Sequence, residues 1–301
     1  MVSLGALKYV VWKWLERCNR AYHTRLYTRR ENPDGINIFD EDWDTLVILD
    51  ACRYDTLEAI DGLPGTLESR QSLGSMTSEF LQANVAGRDL TDTVYVTATP
   101  QLHNVVDADE IHFHKIYDLW EDDNNFWTGE KGHRCILPET MAEYTKEVID
   151  THPNKRVLVH VTQPHVPFVD PVSQALVGDG NPYRRYVAGK IDVTAEDLRQ
   201  SYENNLRCAI PHVRDLMTSI EGKTVVTADH GQLLGDRSFP IPVKMWAHPH
   251  GTYVEELVKV PWLVYESGDR RRIVAEPPVG DDDATDFSVI KERLRDLGYD
   301  E

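Results

Sequence analysis

The apolar positions of this chain follow two periodicities. The first is a set of short, nearly continuous runs. Thr45–Leu49 (TLVIL) leads straight into Asp50. A run without polar alternation predicts a strand buried on both faces, as in parallel sheets. Runs of the same type lie at 93–98 (TVYVTA), 156–162 (RVLVHVT), 224–228 (TVVTA) and 260–265 (VPWLVY). The second periodicity is helical. After Thr194, Leu198, Tyr202, Leu206, Ile210, Val213, Met217 and Ile220 recur at helical spacing. Thr194 and Asp197 have the spacing of a capping box, and Pro211 is expected to bend the helix. Further helices are predicted over 79–85, 138–149 and 287–297. Strands alternating with helices predict an α/β fold, a doubly wound, mostly parallel sheet flanked by helices. The chain divides into a basic amphipathic segment (1–31), one main domain (32–267), and an acidic linker with a short helix (268–301).

Charge changes the picture next. The 50 Asp and Glu residues stand against 32 Lys and Arg, for a net −18. Duplex nucleic acid is excluded as a partner of the bulk surface, because its phosphates need clustered cations. The acidity comes as 29 Asp and 21 Glu, with only 11 Lys beside 21 Arg. That bias suits a halophilic source, since self-repulsion is screened within about 3 Å at 1 M salt. One stretch runs against the trend. Lys8, Lys13, Arg17, Arg20, Arg25, Arg29 and Arg30 face a single acid, Glu16, and are interleaved with Val10, Val11, Trp12, Trp14 and Leu15. Residues 4–30 are therefore expected either to make a peripheral contact with an anionic membrane surface or to pack as a helix on the domain. No run reaches the ~18–20 apolar residues of a spanning helix. Lys8 and Lys13 interrupt the only stretch resembling a signal peptide. The expected location is cytoplasmic, either free or peripheral on the inner membrane surface. The four cysteines form no CxxC pair, so no zinc ribbon is predicted.

Candidate chemistry gathers at strand ends. In open α/β sheets ligands bind beyond the carboxyl ends of the strands. Three predicted strands deliver polar residues there: Asp50; Gln163 and His165; Asp229 and His230. Asp50, Asp229 and His230 form a mixed oxygen/nitrogen set suited to Mn²⁺, Zn²⁺ or Mg²⁺, with Ca²⁺ less favoured. Ser75, Thr77 and Ser78 precede a predicted helix, where a hydroxyl acts either as a helix cap or as a nucleophile favoured by the helix dipole. His248 and His250 stand two apart in a turn and can contact an ester oxygen or leaving group.

Four segments, LVILDACRYD, HVTQPHVPF, VVTADHGQLLGD and AHPHGTYVEELVKVPWLV, resemble in that order the sulfatase-like branch of the alkaline phosphatase superfamily, over residues 44 to 265. The resemblance implies that family's α/β sheet with a metal site at its carboxyl edge. It implies metal ligands Asp50, Asp229, His230 and Thr77, with Thr77 also the nucleophile and Ser75 second to it. It implies that His165 contacts the transferred group, that His248 or His250 contacts substrate, and that Arg53 joins the substrate-binding residues. Two departures matter. No cysteine or serine lies in the C/S-x-P/A-x-R motif that yields formylglycine, and the additional Asp-x-x-x-His pair of two-metal members is absent. One divalent metal (Mn, Zn, Mg or Ca) is therefore expected. The expected function is hydrolysis or transfer of phosphate, phosphonate or sulfate esters through a Thr/Ser nucleophile. The substrate would be an anionic ester on a cell-surface glycan or lipid headgroup. The alternatives are a sulfate-ester hydrolase without formylglycine and a non-catalytic module binding a metal or anionic glycans. The chain is also short for the family, with no room for its C-terminal subdomain.

Overall fold

A computed structural model describes residues 4–26, 31–129, 132, 134–178, 180–279 and 287–299. Arg29, Arg30 and the acidic run 281–283 lie outside the described residues. The strands in chain order are β1 Thr45–Leu49, β2 Thr66–Gln71, β3 Leu90–Thr97, β4 Phe113–Asp118, β5 Phe126–Thr128, β6 Arg134–Ile136, β7 Arg156–Val161, β8 Gly222–Thr227, β9 Leu233–Arg237, β10 Lys244–Ala247 and β11 Lys259–Ser267. Seven build one sheet in the order β2-β11-β8-β1-β7-β3-β4. β8, β1, β7, β3 and β4 are paired in parallel, and β11 alone runs against them, antiparallel to both β8 and β2. The fold is therefore a mostly parallel α/β sheet with helices on both faces.

β1 shows why the apolar runs are continuous. All five of its residues are buried. Val47 and Leu49 face a core shared with the helices Pro138–Thr151 and Ala195–Ser219; Leu46 and Ile48 face the layer built on Phe80, Leu81 and Leu102. Each such side chain contributes about 1.5–3 kcal/mol through burial. Helix Ala195–Ser219 starts at the expected capping box: Asp197 N–H donates to Thr194 Oγ1 at 3.1 Å, and Thr194 N–H donates to Asp197 Oδ2 at 2.7 Å. It continues through Pro211 as one element. The two edge strands, β2 and β4, break the buried pattern that announced the others. β2 reads TLESRQ and is partly exposed along its length. An edge strand with a solvated face carries no continuous apolar signal.

The residues after β11 are tied to the domain. Arg270 pairs with Asp42 and Asp44, and Val274, Glu276 and Val279 donate backbone bonds to Asn154, Thr91 and His114. The helix Phe287–Asp296 then returns to the main core through Ile290 and Leu294. At the other end, helix Leu4–Leu26 lies on the β9–β10 hairpin loop. No helix of the described residues is long and apolar enough to cross a membrane.

The strand ends are packed backbone against backbone. Gly231, after β8, donates its N–H to Leu257 O at 2.7 Å, and a Cβ there would lie 2.2 Å from Glu256 O. Gly231→Ala is expected to destabilise the protein by about 1–3 kcal/mol, since neither backbone can yield easily. Chemical denaturation of the variant checks this, and an unchanged midpoint would contradict the close approach.

Candidate metal centre

Three strand ends build the site. β1 and β8 are neighbours, and β7 flanks β1 on its other side. Asp50 ends β1. Its N–H donates to Val161 O at 3.0 Å, and its carbonyl accepts from His165 N–H at 3.1 Å, which fixes the β1 and β7 exits together. Ala51 then takes a left-handed conformation, φ 61°. This costs a non-glycine residue about 1–2 kcal/mol. The turn aims the Ala51 N–H at Asp229 Oδ1, 3.0 Å away, and its carbonyl is held by the Tyr202 hydroxyl at 2.7 Å. Ala247, the residue before His248, is likewise left-handed, φ 67°. Ser72 Oγ holds the Asp229 carbonyl.

Asp50, Asp229 and His230 are buried, with one ligand atom from each within 4.8 Å of the others. Asp50 Oδ1 and Asp229 Oδ2 have no hydrogen-bond partner among the described residues. His230 Nε2 lies 3.7 Å from the first and 3.3 Å from the second. Its Nδ1 is 2.7 Å from Gly231 O, so Nδ1 carries the proton and Nε2 presents a lone pair. Two orphaned carboxylate oxygens facing an imidazole lone pair is a donor set that fits a divalent cation. Without one the carboxylates work against each other. Burial first, then the Asp229 charge, holds Asp50 well above the usual carboxylate range. For Asp229 burial pushes the same way, but His230, His160 and the Ala51 N–H outweigh it and hold that carboxyl low.

Thr77 joins this group. It is buried, and its Oγ1 lies 3.2 Å from His230 Nε2. The competing role as helix cap falls to Met76, which has no capping side chain; Thr77 is the first residue of helix Thr77–Val85. Ser75 is engaged elsewhere. Its hydroxyl is 2.8 Å from Glu79 Oε2 and 3.1 Å from Pro249 O, and it accepts from Thr252 N–H at 3.2 Å. His248 also joins, with its ring 4.5 Å from His230 and 5.1 Å from His165. His250 stands apart, with an exposed side chain paired to Glu79 at 3.1 Å. Arg53 clamps the surrounding loops: its guanidinium contacts Asp55 at 2.5 Å, Asp236 at 3.0 Å and Gln232 O at 2.9 Å. Beside it opens a cleft lined by Tyr54, Glu255, Glu256 and Lys259.

Three imidazoles share one design. His165 Nδ1 bonds Val166 O at 2.7 Å and His248 Nδ1 bonds Gln232 Oε1 at 2.8 Å, as His230 Nδ1 bonds Gly231 O. In this arrangement each Nδ1 donates and each Nε2 remains an acceptor. Burial pushes His165 down to about 4 and holds His248 well below the usual histidine range.

Two residues enter that the sequence did not single out. His160, within β7, has its Nε2 3.9 Å from Asp229 Oδ2 and its Nδ1 2.9 Å from the Tyr95 hydroxyl. A histidine in a fully buried strand was the available signal. Tyr299 had none. Its hydroxyl donates to Asp50 Oδ2 at 2.6 Å and lies 3.4 Å from Thr77 Oγ1, and its ring stacks on His165 at 4.7 Å and 8°.

No protein-family model matches the sequence, and no curated protein matches it. Solved structures are similar in fold. The integral membrane protein lipooligosaccharide phosphoethanolamine transferase A (EptA) from Neisseria meningitidis is 14% identical with TM-score 0.48, covering 73% of this chain and 47% of that one. This chain thus spans about half that protein's length. The C-terminal periplasmic domain of EcEptC from Escherichia coli, in complex with Zn, is 15% identical with TM-score 0.48, covering 74% and 72%. A protein in the alkaline phosphatase superfamily from Vibrio parahaemolyticus is 13% identical with TM-score 0.41, covering 80% and 64%.

The paired carboxylates make cation binding a stability measurement. Mn²⁺ or Zn²⁺ at about 100 times its Kd is expected to stabilise the protein by about 2.7 kcal/mol over EDTA. Asp229→Asn is expected to abolish that gain. Asp50→Asn is expected to abolish it too, while leaving the cation-free protein as stable as the parent or more so, because the repulsion is gone. Thermal melts with and without EDTA decide, and an equal cation response in the parent and both variants would contradict the assignment.

Proposed function

We propose that this chain is a metal-dependent enzyme that hydrolyses or transfers phosphate esters with Thr77 as nucleophile. One juxtaposition carries the reading. A buried threonine hydroxyl stands 3.2 Å from the Nε2 of a histidine that shares its pocket with two unpartnered carboxylate oxygens. A divalent ion held by Asp50, Asp229 and His230 supplies positive charge that lowers the pKa of a neighbouring hydroxyl and polarises an ester oxygen.

The chain's own groups meet the remaining requirements. Thr77 opens a nine-residue helix, so the helix dipole favours the alkoxide it becomes. Its oxygen attacks phosphorus in line. The new Oγ1–P bond forms as the ester P–O bond breaks; the Thr77 proton passes to solvent, and the leaving alkoxide takes a proton from solvent. Water or an acceptor alcohol then attacks the phosphothreonine and restores the hydroxyl. His165 and His248 contribute through their Nε2 atoms. Both are neutral without substrate, for the reason of burial given above. A bound dianion reverses that balance, so each can take up a proton and donate Nε2–H to a phosphoryl oxygen. An anionic ester on a lipid headgroup or cell-surface glycan is the substrate class this reading carries forward.

Thr77→Ala is expected to lower turnover of an aryl phosphate by about 10³-fold or more, and Ser75→Ala by far less. A dead Ser75→Ala beside an active Thr77→Ala would reverse the assignment. Aryl sulfate tested in parallel separates a phosphate from a sulfate esterase. A second outcome follows from the histidines. Sulfate stays dianionic across the range, so its inhibition reports the protein's proton alone. Because binding needs an imidazolium, sulfate is expected to bind more tightly as pH falls from about 8 to 5, by up to tenfold per unit. Inhibition that is flat or strengthens toward high pH would contradict the histidine role.

A further inference from the structure

Helix Leu4–Leu26 is fastened to the domain through hydrogen-bonding side chains. Trp12, Asn19 and His23 fall on one face, and all three are fastened to the β9–β10 hairpin loop. Trp12 Nε1–H donates to Lys244 O at 2.8 Å. Asn19 Nδ2 donates to Ile241 O at 2.9 Å, and Ile241 N–H donates back to Asn19 Oδ1 at 3.0 Å. His23 Nε2 donates to Phe239 O at 2.9 Å, since a carbonyl oxygen can only accept. The opposite face is apolar. Leu7, Val10, Val11 and Trp14 follow the i, i+3, i+4, i+7 pattern and are 56%, 62%, 49% and 63% exposed. With Phe239 in the helix's seat, they make up five of the nine exposed large apolar side chains among the described residues. Lys13 and Arg17, both exposed, flank this stripe.

We propose that this face docks on an anionic bilayer surface, with Leu7, Val10, Val11 and Trp14 entering the headgroup boundary and Lys13 and Arg17 engaging lipid phosphates. Charge complementarity selects this occupant. The segment carries five cations and one carboxylate on a chain of net −18. An anionic surface repels the acidic bulk of the protein and attracts this patch, which sets the orientation. A second copy of the chain offers an acidic surface that suits the cations but not the apolar stripe beside them. An interfacial helix needs both on one side, with Trp at the boundary. The hairpin that seats the helix also leads to the metal centre, since Gln232 precedes β9 and His248 follows β10. Five residues of strand span about 17 Å, so docking holds the centre near the membrane without burying it. The docking does not depend on the reaction proposed above.

Vesicle flotation of the full chain tests this. At about 0.15 M salt the protein is expected to float with vesicles of equal phosphatidylglycerol and phosphatidylcholine and not with phosphatidylcholine alone. Val10→Glu and Trp14→Glu are each expected to lower the bound fraction at least tenfold. Lys13→Gln and Arg17→Gln are expected to lower affinity roughly fivefold per charge. Val172→Glu, at an exposed apolar residue of helix Pro171–Val177, is the control and is expected to bind as the parent does. Unchanged melting curves confirm that the variants are folded. Equal binding to both vesicle types, no binding, or loss by the Val172 control as large as by Val10→Glu would overturn the proposal. So would a doubled solution mass that Val10→Glu abolishes, which would make the face an interface between copies.

Discussion

Two carboxylates share one buried pocket, and much of the surrounding structure makes sense as the means of holding them there. Asp50 and Asp229 lie at the ends of adjoining parallel strands with an unpartnered oxygen each. Burying one ionised carboxylate is costly, and burying two within a few ångströms is worse unless a cation compensates. The protein nonetheless fixes them closely. Ala51 accepts a left-handed backbone so that its N–H reaches Asp229, Tyr202 holds the Ala51 carbonyl, and Ser72 holds the Asp229 carbonyl. Strain and buried polarity concentrated at one point are the marks of a functional site.

The acidic exterior and the neutral interior belong to one electrostatic scheme. A net charge of −18 works against the approach of an anionic ester. The pocket offers three imidazoles whose Nδ1 protons are all committed, to Val166 O, Gly231 O and Gln232 Oε1. Their Nε2 atoms are left as acceptors that bind a metal directly or take up a proton when an oxyanion arrives. This refines the reading from sequence, in which histidines stabilise charge simply by being present. The basic helix at the other end of the hairpin is the second departure from surface acidity, and it faces outward.

Much of this was legible in the sequence because burial on both faces leaves a plain signature. The five apolar runs are five of the seven sheet strands; the residues that follow two of them make the centre, and His165, after a third, stands beside it. β2 and β4 escaped because edge strands keep a solvated, polar face. Local spacing could not choose between Ser75 and Thr77. Both precede the helix read from sequence at 79–85, and only the fold turns one toward His230 and the other toward Glu79. The same holds for His248 and His250, two residues apart yet in different surroundings. Tyr299 reaches Asp50 across 249 positions of chain, beyond the reach of any pattern rule. Arg53, read as a substrate contact, is occupied by Asp55 and Asp236.

The proposed chemistry needs a cation at one set of atoms, and diffraction can locate it. Crystals grown with Mn²⁺ and measured at the manganese edge should show an anomalous peak bonded to Asp50 Oδ1, Asp229 Oδ2 and His230 Nε2, with Thr77 Oγ1 beside it. A fully occupied peak elsewhere, or none in this pocket, would contradict the central claim.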